Sequence, residues 1–137
     1  MIKKHHDAND IQILFFQEDI TRWIDETELI EYEISFYNGI FISNLIHKLE
    51  TDFLSTQTLN ANLLDFESKH RKIKKELKQF QHSSQIVNEC DDLSCETHFL
   101  NDTAKFKTKI ESHFADYRTL KKEVLLYLNS GLLKYMN

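Results

Sequence analysis

The stretch LNANLLDFESKHRKIKKELKQFQHSSQIV, Leu59 to Val87, decides the fold. Its inward-type positions run Leu59, Leu63, Phe66, His70, Ile73, Leu77, Phe80, Ser84 and Val87, in alternating steps of four and three. Such steps keep one stripe of a helix facing the same way along its whole length. The stripe is apolar except at His70 and Ser84, and nothing inside it breaks a helix. A single helix cannot bury this seam alone, so the rest of the chain has to supply its partners.

Before this stretch, Ile13, Phe16, Ile20, Trp23, Thr27, Ile30, Ile34, Tyr37, Phe41, Leu45 and Leu49 keep the helical period. They predict a first helix over residues 10–54, with Asp7, Asn9 or Asp10 as its N-cap. Gly39, after Asn38, marks either a kink or a close approach of another helix. A break there would give four helices instead of three. The segment 51–57 is rich in capping residues and predicts the first turn, so the second helix spans 57–89. Asp91, Asp92 and Ser94 suit the start of a third helix. Its stripe is Phe99, Thr103, Phe106, Ile110, His113, Tyr117, Leu120, Val124 and Tyr127. Asn129-Ser130-Gly131 predicts its end, with Gly131 as the left-handed residue after the last turn. Residues 1–9 and 132–137 are then tails.

Composition agrees with helices. The 137 residues contain no proline and only two glycines, too little punctuation for a β-rich domain. The expected architecture is a single all-α domain, an antiparallel up-down bundle of three long helices joined by short turns. No apolar run reaches the roughly 18 residues of a membrane span. The N-terminus lacks a signal-peptide core and there are two cysteines, so the expected compartment is the cytoplasm. A net charge of −5 argues against a nucleic-acid binder.

Antiparallel neighbours imply a register. A first turn centred near residue 55 sets Asn38 level with about residue 73, and a second turn near 91–92 sets His70 level with His113. Glu67-Ser-Lys-His70 has the Glu-x-x-His spacing with which di-iron bundles place two ligands on one helix face. The residue three before His113 is Ile110, so the second such motif is missing. The favoured reading is a buried polar layer of His70, His113 and Tyr117 or Asn44. The alternative is a metal or small-ligand site formed by Glu67, His70 and His113. No cofactor is implied.

Two further features carry chemistry. Cys90-Asp-Asp-Leu-Ser-Cys95-Glu-Thr-His98 spans the second turn with zinc-type ligands at an uncommon spacing. A disulfide would fit the turn, but a reducing compartment favours two free thiols. Charge is also segregated. The first helix is acidic over residues 18–33, whereas Lys69, Arg71, Lys72 and Lys75, with Lys105, Lys107 and Lys109 at the same height, predict an exposed basic band. Glu33 is expected near Lys78. Such a band suits an acidic partner.

There is no glycine-rich phosphate loop, no complete metal motif and no nucleophile constellation. The reading is therefore a non-enzymatic interaction or assembly module, partnered by a second copy or another protein. The register leaves residues 11–20 of the first helix overhanging, which makes Ile11, Leu14, Phe15 and Phe16 the expected homodimer interface.

Overall fold

The structure is a computed structural model that describes residues 7–43, 45–49 and 52–136. These form α1 (Asp7–Ile42), a short α2 (Leu45–Leu49), α3 (Phe53–Ile86), a single 3-10 turn (Val87–Glu89) and α4 (Leu93–Met136). The fold is an all-α bundle of three long helices, with no strand among the described residues. Asp52 caps α3, accepting hydrogen bonds from the Ser55 hydroxyl and amide at 2.7 and 3.1 Å. The Ser55 hydroxyl bond, foremost, holds the Asp52 carboxyl below its usual range. Asp92 caps α4 through the Cys95 amide at 2.8 Å. Each cap satisfies amides that a helix start leaves open.

The chain divides into two compact units, Met1–Thr27 with Lys72–Ser112 and Glu28–Arg71 with His113–Asn137. In the first, Gln17 Nε2 donates to the Ser84 carbonyl at 2.8 Å and ties α1 to α3. Phe106 of α4 stacks on Phe80 at 4.5 Å and meets Trp23 edge-on at 5.8 Å. Ile20, Leu77 and Ile110 complete that interior. In the second unit, Ile30, Ile34, Leu63 and Val124 are fully buried, and Phe41 stacks on Tyr127 at 6.1 Å. Within each unit α3 runs antiparallel to α4, as the pairs Phe80–Phe106 and Lys109–Glu76, and His70–His113 and Thr56–Tyr127, record.

The first helix differs from expectation. It ends at Ile42, not near 54, and it passes through Asn38-Gly39 without a break. Ser43 is the reason. Its hydroxyl and its amide both donate to the Ile40 carbonyl, at 2.8 and 3.2 Å, and Ile46 donates to Ser43 at 3.3 Å. Three-residue spacings of this kind tighten and end an α-helix. The phase then shifts, so Leu45 is exposed while Ile46 and Leu49 are buried. The α1–α3 register moves too, because Asn38 bonds Glu67 at 3.1 Å instead of lying level with residue 73. With Gln17 seated on Ser84 and Ile13 only 4 % exposed, residues 11–20 do not overhang as a block. At the N-terminus, α1 already includes Asn9 and Asp10, while residues 1–6 lie outside the described residues.

The close approach falls at Gly131, not at Gly39. Gly39 is exposed with nothing near its missing side chain, whereas a Cβ at Gly131 would run into the backbone carbonyl of Leu49. Gly131 thus lies inside α4 with ordinary φ, and the helix continues through residues 132–136. Gly39→Ala should raise stability by about 1 kcal/mol, the helix-propensity difference. Gly131→Ala should lower it, by roughly 1–3 kcal/mol, because backbone has to move. Paired urea melts at constant m-value check both.

Candidate functional site

His70 and His113 face each other inside the second unit. Nδ1 of His70 lies 2.9 Å from Nε2 of His113, and the residues are 3 % and 8 % exposed. Phe66, one turn before His70, stacks on the His113 ring at 4.4 Å and 13°, and touches Tyr117 at 5.4 Å. Burial, then the facing His70, pushes the His113 pKa down to about 4. A buried imidazole is stable here as the neutral ring, donating or accepting one hydrogen bond.

Tyr117, one turn beyond His113, donates to Glu33 Oε1 at 2.7 Å, and Lys121 donates to Oε2 at 2.6 Å. Burial alone would raise the Glu33 carboxyl, but the bonds from Lys121 and Tyr117 outweigh it and hold the group ionised. Burial and then the nearby Glu33 charge raise the Tyr37 hydroxyl pKa. Glu33 therefore serves the α1–α4 contact, not Lys78 as the charge pattern suggests. The shifted α1 register hid it, although Tyr117 and Lys121, four residues apart on one face, were the available signal. Asn44, the other suggested member of the layer, lies outside the described residues.

Glu67 does not turn toward the histidines. Its two oxygens take Asn38 Nδ2 at 3.1 Å and Arg71 at 3.2 Å. Among the described residues, no three His, Cys, Asp or Glu side chains are grouped to hold a metal ion. The site is a proton-sharing imidazole pair walled by aromatic rings.

The basic residues are less free than the sequence implies. Lys69 pairs with Asp65 at 3.1 Å, and Arg71 with Glu67. In the first unit, Lys109 pairs with Glu76 at 2.5 Å. Lys107, expected on the surface, is half-buried and reaches Asp19 at 3.3 Å. Asp19 is 7 % exposed, is also bonded by Arg22, and went unnoticed as a buried charge. Lys72, Lys75 and Lys105 remain exposed and make no ion pair among the described residues.

At the second turn, Cys90 and Cys95 form a disulfide, where the sequence favoured free thiols. The reversal between α3 and α4 brings their Cα atoms to 5.7 Å, within the bonding range of about 4.4–6.8 Å. His98 pairs with Asp102 at 3.1 Å and not with the sulfurs. On α1, Ile11, Leu14 and Phe15 are 56 %, 60 % and 61 % exposed, and Phe16 is half-buried. Among the described residues no helix is long and apolar enough to cross a membrane. No protein-family model, curated protein or solved structure matches the chain.

The folded His113 pKa lies below the ordinary 6.5, so the unfolded chain binds the extra proton first. Stability should be full above pH 6.5 and fall by roughly 2–3 kcal/mol as pH drops toward 4. His113→Gln should be less stable at pH 7 and should flatten that dependence, as urea titrations at stepped pH will read. Lys107→Ala should cost about 1–2 kcal/mol by leaving Asp19 buried with one partner fewer. Lys72→Ala and Lys75→Ala should change thermal stability by no more than about 0.5 kcal/mol.

Proposed function

We propose that this chain is a non-enzymatic helical association module that pairs with a second copy of itself through the outer face of α1. One observation supports the reading above the rest. At residues 11–20 α1 carries two apolar faces, and Ile13 and Ile20 fill the inner one. Ile11, with Leu14 and Phe15 about one turn further on, points with them away from it into solvent. A soluble helix has no need for a second apolar face unless something covers it. A copy of the same face covers it by two-fold symmetry, with Phe16 at the border of the contact.

Lys72, Lys75 and Lys105, exposed and without an ion pair among the described residues, are charges with which such a module would attract an acidic partner, in a salt-sensitive manner. The cytoplasmic location belongs to the same proposal. The alternative, a metal or ligand held by Glu67, His70 and His113, meets a specific obstacle. The two ring nitrogens that would bind it already face each other at 2.9 Å, and Glu67 is engaged by Asn38 and Arg71.

Light scattering after size-exclusion chromatography should give a dimer at micromolar concentration. Phe15→Glu should convert it to monomer with unchanged helicity. A monomer at high micromolar concentration, indifferent to Phe15→Glu, would overturn the proposal.

A further inference from the structure

A cavity of about 380 Å³ opens beside the Cys90–Cys95 disulfide and has both cysteines in its lining. Phe80, Ile86 and Phe99 form its apolar wall. On its rim, His98 and Asp102 can offer hydrogen bonds to a peptide backbone. The two sulfurs are unequal. Cys90 is 8 % exposed, whereas Cys95 is exposed in the first turn of α4. A helix start favours an anionic sulfur, but Asp92, bonded to the Cys95 amide, opposes it. Access, not acidity, therefore distinguishes them. The bond also closes a short loop whose flanking helices are joined independently by Phe80 on Phe106 and by Lys109 on Glu76. Neither contact runs through the bond.

We propose that Cys90–Cys95 is a redox-active disulfide that accepts electrons from a peptide or protein dithiol whose cysteine adjoins an apolar side chain. That side chain enters the cavity and sets the incoming sulfur against Cys95. The thiolate attacks Cys95 Sγ, the Cys90–Cys95 bond breaks, and its electron pair leaves on Cys90 Sγ. Cys90 takes up the proton that the incoming thiol released. The second thiolate of the dithiol then attacks its own sulfur in the mixed disulfide and frees Cys95, which is protonated in turn. Two electrons and two protons pass from the dithiol to the cysteine pair, and the dithiol becomes a disulfide. In a reducing compartment, disulfides serve mainly such transient exchange. The proposal rests on the reducing compartment named with the proposed function but not on the dimer, so its test can fail while the dimer stands.

The test uses the oxidised full chain with two monothiol probes, glutathione and a Leu-Cys-Leu tripeptide blocked at both ends. Acid quenching and tandem mass spectrometry locate the mixed disulfide. The adduct should form on Cys95, about tenfold faster with the tripeptide than with glutathione at equal thiolate concentration. Ile86→Asn, which adds no charge at a position 48 % exposed, should erase that advantage by slowing the tripeptide. Reduction should leave the far-UV circular dichroism unchanged. An adduct chiefly on Cys90, equal rates for both probes, or a bond that yields only as the chain unfolds would each overturn the proposal.

Discussion

A seam that recurs every three and four residues can be buried only against other seams, and three of them close on one another here. Apolar contact alone is non-directional and would tolerate a slip of one helical turn. The polar members of the seams would not. Moving α4 by a turn along α3 would set His70 against Ile110 or Tyr117 and leave a buried imidazole without its counterpart at 2.9 Å. The histidine pair thus holds the register that the apolar residues fill. Phe66 shares in this, since its stacking on His113 requires the same height.

Charge inside the two units is handled locally. Asp19 is bracketed by Arg22 and Lys107, and Glu33 by Tyr117 and Lys121. In both cases the carboxylate lies on α1 and a cation comes from α4, so α1 and α4 are joined by charge-assisted bonds as well as by packing. The charges left outside are then those with no structural task. Lys72, Lys75 and Lys105 belong to that remainder, exposed and without an ion pair among the described residues.

The seams were legible because burial follows periodicity directly. Every seam position from Leu59 to Val87 is buried, apart from the half-buried Phe80. The level of His70 with His113 followed from one short, well-marked turn. What escaped depended on irregular backbone. Ser43 ends α1 by bonding back to Ile40, and a serine in a helical pattern does not announce which of its two habits it will adopt. That single choice displaced α1 against α3, hid Glu33 from its partners and cancelled the expected overhang. Gly131 misled for a related reason. Its lack of a side chain serves a close approach by Leu49, which is distant in sequence, and not a local turn. The disulfide was visible as a spacing, but its formation depends on how the turn aims two Cα atoms.

The imidazole pair has one more property. Two neutral rings joined through one nitrogen each hold one bridging and one outer proton between them, and the two protons can be placed in two ways. In the first, His70 donates through Nδ1 and His113 keeps its other proton on its outer nitrogen. In the second, His113 donates through Nε2 and His70 carries the outer proton. The two forms have the same composition and charge, yet their dipoles point in opposite directions. Each outer nitrogen is a donor in one form and an acceptor in the other. A donor placed at one outer nitrogen therefore favours the form in which the other outer nitrogen donates.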